Sequence, residues 1–353
     1  MKAYQLTAFA EPIEALDLPT PEPSGTQVLI KVSHAGVCHS DLHIWDGYYD
    51  LGEDARLELG ERGVHLPRTM GHEILGEVVK GGPEAGDVTI GARALVHPWH
   101  GCGDCPVCRS GSENLCLKPR SLGVFSDGGY ADYCLVPHPR YLIDIGDLDP
   151  AVATPYSCSG VTVFSALKKL LPVDDEEWLV IMGAGGLGLN AVAIAKGMGA
   201  ANVLSVDIDE SKLEAARELG ADATLNSTAP DALARLGELT GGAPRAVLDT
   251  VGAEATSKLA LGALAKAGRY VIVGLYGGSL TLPLVTLPLR AISIAGSYTG
   301  NLQELKELIE LAKSGKVKAL PTQTRDMSRL GDTLDDLRAG RIVGRVVLTN
   351  AGR

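Results

Sequence analysis

The chain has 353 residues, enough for two domains of ordinary size, with 45% apolar residues, 21% charged residues and a net charge of −11. An acidic chain without a basic run argues against nucleic acid or an anionic membrane as partner, and no apolar run approaches the length of a membrane span. The N-terminus, Met1-Lys2-Ala3-Tyr4-Gln5-Leu6, has no signal-peptide pattern, so a cytoplasmic location is expected.

Residues 4–9, 27–34 and 74–80 are apolar or alternating, rich in β-branched side chains and punctuated by Pro and Gly, which predicts a strand-rich N-terminal region. Pro19, Pro21 and Pro23 mark an extended linker. Residues 47–69 are charged and glycine-containing with little periodicity, and read as a long surface loop, either functional or a tolerated insertion. Next comes Cys102-Gly103-Asp104-Cys105-Pro106-Val107-Cys108, with Cys116 eight positions later. Such spacing lets one loop wrap a tetrahedral ion, at about 2.3 Å per Zn–S bond. Four thiolates leave no open position, so this site is expected to be structural. A zinc-ribbon reader of nucleic acid is opposed by Asp104, Glu113 and the overall charge. Cys134, in Tyr133-Cys134-Leu135-Val136, reads as a small buried hydrophobe.

From about residue 178 the pattern changes. Apolar strands are predicted at 178–182, 202–206, 245–249 and 269–274, and helices at 210–219, 230–240 and 254–266. Strands alternating with helices mean a parallel sheet of βαβ units, covered on both faces. Tandem Pro and Leu at 282–289 suggest irregular strand edges, 292–295 a last strand of this region, 301–314 an amphipathic helix and 343–348 a closing strand.

Two motifs carry chemistry. Gly183-Ala184-Gly185-Gly186-Leu187-Gly188 follows a strand, opens a helix and precedes Asp207 by nineteen positions from its last glycine. That is the context of a dinucleotide site: Gly183 permits a tight turn, Gly185 a close approach to pyrophosphate, Gly188 helix–strand packing. Asp207 should bond the adenine-ribose hydroxyls and repel a 2′-phosphate, favouring NAD over NADP. Lys212 either reaches the same ribose or is an ordinary exposed helix lysine. The second motif is dispersed: Cys38, His72 and Cys158. Two thiolates and an imidazole are a usual zinc donor set, and three protein ligands leave a fourth position open. Glu73 is either a transient ligand or a neighbour of the ligands. Asp41 either orients the His72 ring or caps a turn.

The chain resembles the zinc-dependent medium-chain alcohol dehydrogenases. Cys38-His39-Ser40-Asp41 with His43, Gly71-His72-Glu73, the four-cysteine lobe, Cys158-Ser159-Gly160-Val161-Thr162 and the glycine fingerprint with Asp207 carry the resemblance over nearly the whole length. Gly296-Ser297-Tyr298-Thr299-Gly300-Asn301 and the long loop before His72 look most like the tetrameric bacterial and archaeal branch. The resemblance implies an α/β fold with a β-rich part. A GroES-like catalytic domain (1–156 and 299–353, with a zinc lobe at about 98–118) is split by a doubly wound Rossmann domain at 157–298. It implies one catalytic zinc on Cys38, His72 and Cys158, and one structural zinc on Cys102, Cys105, Cys108 and Cys116. It also implies NAD as cofactor, and a homotetramer or dimer. Ser40 would take the proton of the substrate hydroxyl and pass it on to His43. His39 and Arg345 would lie by the pyrophosphate and Thr162 by the nicotinamide. Trp99, Trp45 and Tyr298 are candidates for the substrate pocket, whose flat walls would suit an apolar or aromatic alcohol. Competing readings are a polyol, threonine or hydroxyacyl-thioester dehydrogenase of the same fold, or a zinc-free quinone reductase.

Overall fold

The computed structural model describes residues 1–174 and 176–350. Near the N-terminus, Val28–Gly36 is the centre of a seven-stranded sheet. It pairs antiparallel with Glu73–Gly81, Tyr133–Val136 and the C-terminal strand Arg345–Thr349. Arg345–Thr349 in turn pairs parallel with Thr322–Asp326. The end of the chain is therefore built into the sheet formed by its beginning. Between them lies a six-stranded, all-parallel sheet in the order Ala223–Asn226, Asn202–Asp207, Trp178–Met182, Ala246–Asp249, Arg269–Ile272, Ser293–Gly296. Numbered along the chain, that order is 3-2-1-4-5-6, the dinucleotide-binding arrangement, whose ligand crevice lies at the carboxyl ends of the central strands. Leu179, Val180, Ile181 and Met182 are fully buried because helices cover both faces, which explains the unbroken apolar run.

Helix Glu210–Leu219 spans the predicted residues, started by the Asp209 side chain and stopped by Gly220 in a left-handed conformation. Three expectations change. Residues 47–69 are not a featureless loop: Tyr48–Gly52 and Ala55–Glu58 form a hairpin, turned by Glu53 and Asp54, both at positive φ. Residues 282–289 are not strand edges, because Thr286–Arg290 is a short helix there. The first strand, Lys2–Leu6, stops before residues 7–9. Among the elements that the sequence does not announce, three have a plain reason. Ser159–Leu170 is a helix with ten of its twelve residues buried, so it shows no amphipathic stripe to read. Ala223–Asn226 is too short and polar to stand out. Helix His39–Asp46 was hidden by its polar ligand-like residues.

Candidate metal centre and dinucleotide cleft

Cys38 follows the central strand and is the N-cap residue of helix His39–Asp46. Three residues on, Asp41 is fully buried and caps the helix start. Its Oδ2 accepts from the Cys38 backbone N–H at 2.9 Å and from the Tyr130 hydroxyl at 2.7 Å. Its Oδ1 lies 3.3 Å from His72 Nδ1. The separation is that of an ion pair, although neither atom meets hydrogen-bond geometry. His72 lies at the start of strand Glu73–Gly81, and Cys158 caps the helix Ser159–Leu170.

These elements bring Cys38, His72, Glu73 and Cys158 together, each buried, with one ligand atom apiece within 4.8 Å of all the others. The Cys38 and Cys158 sulfurs are 3.8 Å apart. That matches about 3.8 Å between two sulfurs on one tetrahedral ion at about 2.3 Å per bond. His72 Nε2 is buried with no partner. A buried polar atom left unpaired costs about 1–3 kcal/mol, and a cation removes that cost. The donor set fits zinc. In the bare cluster a hydrogen bond from Cys158, ahead of the His72 contact, holds the Cys38 thiol well below the usual range, while the same bond pushes Cys158 up.

Glu73 is bound by Arg345, whose Nη2 donates to both carboxylate oxygens in a buried pair. Arg345 also packs on the glycine turn: a side chain at Gly186 would meet its Cδ at 2.5 Å. This arginine therefore joins the metal cluster to the dinucleotide turn. In that turn Gly183 has φ +92, and a side chain at Gly188 would fall 1.9 Å from the Gly183 carbonyl oxygen. Gly185 faces open space, as a backbone approached by ligand must. Helix Gly186–Gly197 begins here, with Leu187 in its first turn. Asp207, at the end of its strand, accepts from Ala184 N at 2.6 Å through Oδ2 and from Ile208 N and Asp209 N through Oδ1. Lys212 is half-buried on the following helix.

On helix His39–Asp46, His39 is exposed, Ser40 half-buried and His43 one turn further on the same face. Burial, reinforced by His39, pushes His43 down to about 4, and its Nε2 is buried without a partner. Thr162 is buried in the first turn after Cys158. Trp99 is buried, donates from its indole to Ser157 O at 2.9 Å, and has its ring 5.3 Å from His72. Tyr298 meets Trp99 edge-on at 6.3 Å. Trp45 is half-buried: its indole donates to Glu11 O at 2.7 Å and Arg338 lies over its ring. The sequence reading missed Tyr49. Its ring lies 4.8 Å from His43, and burial, then Tyr298 and Cys38, hold its phenol far above the usual range. The aromatic pair Tyr48-Tyr49 directly after the Ser40/His43 helix was the available signal.

The second cluster is Cys102, Cys105, Cys108 and Cys116, with all four sulfurs within 4.8 Å of one another and no disulfide. Backbone N–H groups of Cys102, Cys108 and Lys118 point at these sulfurs at 3.3–3.4 Å, as they do toward thiolates. This set also fits zinc, with no position left open.

Comparison with known proteins agrees with both halves of the fold. The alcohol dehydrogenase GroES-like domain profile matches residues 24–147, and the zinc-binding dehydrogenase profile matches 186–314. An NAD-dependent alcohol dehydrogenase of Sulfurisphaera tokodaii is 39% identical over 350 residues, covering 99% of each chain. The chain belongs to the zinc-binding alcohol dehydrogenase family. Among solved structures of this family, the alcohol dehydrogenase of Aeropyrum pernix superposes with a TM-score of 0.89 at 31% identity, over 99% of this chain and all of the other. The acetophenone reductase of Geotrichum candidum, solved with NAD, gives 0.86 at 33% identity, over 99% of this chain and 97% of the other. Among the described residues no helix is long and apolar enough to cross a membrane.

Proposed function

We propose that the protein is an NAD- and zinc-dependent alcohol dehydrogenase that interconverts primary or secondary alcohols, apolar or aromatic, with the aldehyde or ketone. The observation that carries this reading is the buried pair Glu73–Arg345, which sets a three-ligand metal cluster and a dinucleotide turn side by side. When bound, zinc on Cys38, His72 and Cys158 supplies a Lewis acid at an open position, and NAD supplies the hydride acceptor. The chain's own residues do the rest. Ser40 takes the proton of the substrate hydroxyl. His43, neutral near pH 7 because burial holds it near 4, relays the proton outward. Trp99, Tyr298 and Tyr49 give the substrate flat aromatic walls, which suits an aromatic alcohol. Asp207 selects NAD. A second zinc belongs to the four-cysteine lobe, and the two domains divide at 156/157 and 298/299.

Seven cysteines without a disulfide suit the reducing cytoplasm. The edge strand Ser293–Gly296 is exposed at every residue, and Tyr276, Leu284, Val285 and Leu289 are exposed as well. An open apolar edge of this kind suits pairing with a second copy, as in a dimer or tetramer. The test is initial rates on a panel of aromatic and aliphatic alcohols, polyols and amino alcohols with NAD and NADP. Reduction of NAD by benzyl alcohol and its homologues supports the reading. Activity confined to polyols overturns it.

A further inference from the structure

Asn114 ties the four-cysteine lobe to the segment that carries Tyr298. Asn114 lies in the turn Glu113–Leu115, two residues before Cys116, and its Nδ2 donates to the Tyr298 carbonyl at 2.9 Å across 184 residues of sequence. Among the described residues the amide's Oδ1 is buried without a partner, so the bond to Tyr298 is the side chain's single hydrogen bond there. The carbonyl it holds belongs to the peptide preceding Thr299. Thr299 is a buried, β-branched residue at φ +44, a conformation that persists only where the surroundings impose it. The rest of this crossover is pinned as well. Lys169 Nζ donates to Ser297 Oγ at 2.7 Å. Asn301 and Glu304 cap helix Leu302–Lys313 reciprocally, and a side chain at Gly300 would strike Val161 at 2.5 Å. Between these anchors, the Tyr298–Thr299 peptide is held by Asn114. The Tyr298 ring is what then meets Trp99, which bonds Ser157 next to metal ligand Cys158.

We propose that Asn114 is a positioning residue that transmits the shape of the four-cysteine lobe to Tyr298 and thereby sets the far wall of the substrate pocket. A lobe folded around its metal fixes the turn Glu113–Leu115. That turn fixes the Tyr298 carbonyl, and the strained Thr299 keeps the ring over the pocket. Small alcohols, confined to the metal end, do not reach this wall; bulky aromatic ones do. The kinetic part of the test rests on the alcohol dehydrogenase reading, whereas the exchange part does not.

The experiment compares the zinc-loaded wild type with Asn114→Asp, which keeps the shape but removes the donor, and with Asn114→Ser, whose hydroxyl is too short to reach the carbonyl. If one variant fails to fold or loses metal, the other decides. Hydrogen–deuterium exchange should quicken over residues 297–301 and stay unchanged over 39–46. The KM for benzyl alcohol should rise about fivefold, the cost of one lost hydrogen bond. The KM values for ethanol and NAD, and kcat with ethanol, should not move. In a Tyr298→Ala background the Asn114 change should add nothing to the benzyl alcohol KM. Unaltered exchange at 297–301, an equal KM rise for both alcohols, or additivity with Tyr298→Ala would each overturn the proposal. If the wild type oxidises neither alcohol, the functional reading falls and the exchange result alone decides the role of Asn114.

Discussion

At the scale of residues, the site depends on side chains that each satisfy two demands. Asp41 caps a helix through one oxygen and faces His72 with the other. Asp207 holds the glycine turn through Oδ2 and the backbone of Ile208 and Asp209 through Oδ1. Cys38→Ser is expected to abolish turnover and lower the zinc content from two to one per chain, with NAD affinity near that of the wild type. Metal analysis and calorimetric titration check this, and retained activity would refute the ligand assignment. Asp207→Ala removes a charged acceptor from Ala184 N as well as the repulsion of a 2′-phosphate. Where Asp207 bonds the adenine ribose as expected, that lost bond to a charged group is worth about 1.5–3 kcal/mol, so NAD affinity should fall at least about tenfold while NADP gains relative to it. The ratio of kcat/KM values for the two cofactors measures the effect, and an unchanged ratio would place selectivity in another residue.

At the scale of elements, the hairpin of Tyr48–Gly52 and Ala55–Glu58 reaches the nucleotide-binding sheet. Gly52, at φ +82, leaves no room for a side chain beside Ser279, and Gly277, at φ +111, none beside Asp50. Both glycines combine a left-handed backbone with contact against atoms that cannot move aside. Gly52→Val should therefore destabilise the protein by about 1–3 kcal/mol. It should also disturb Tyr49, three residues earlier, and so raise the KM for aromatic alcohols. Thermal unfolding and steady-state kinetics test the two effects; a variant of unaltered Tm would show that the hairpin is not docked in solution. The four-cysteine lobe shows a second way to stabilise an element, because its helix Pro106–Arg109 is only one turn long and its shape depends on the sulfurs it gathers.

At the scale of the whole molecule, the acid limit of stability follows from buried imidazoles. Burial pushes His97 down to about 3, with His100 adding to it, and pushes His100 down to about 4. Both ring nitrogens of His97 are buried without partners. The unfolded chain binds these protons near the ordinary histidine value of about 6.5, the folded chain only near 3 to 4. Between those limits the unfolded state carries more protons, so stability rises with pH there and is lost on acidification from about pH 6.5 toward 4. His97→Gln should flatten that limb by an amount on the order of a few kcal/mol, relative to the wild type at each pH. Chemical denaturation at pH 7, 6, 5 and 4 gives the comparison. Parallel curves for the two proteins would refute the assignment to His97.

The chain pattern alone determined the chemistry and its sequence neighbourhoods. Cysteine spacing needs no tertiary structure to announce a four-thiolate lobe, because the ligands are local. The glycine turn is equally local, since a strand, a tight turn and a helix start are consecutive. Alternating apolar strands and helices likewise implied the parallel sheet, whose buried strands cannot be polar. What only the tertiary structure decided are relations between distant segments. Cys38, His72 and Cys158 become one cluster only when three elements converge. Arg345 joins Glu73 because the last strand pairs with Val28–Gly36, more than three hundred residues earlier. Tyr49 meets His43, and Tyr298 meets Trp99, for the same reason. An aromatic residue's surroundings depend on packing against remote chain, and neither periodicity nor spacing encodes which remote chain arrives.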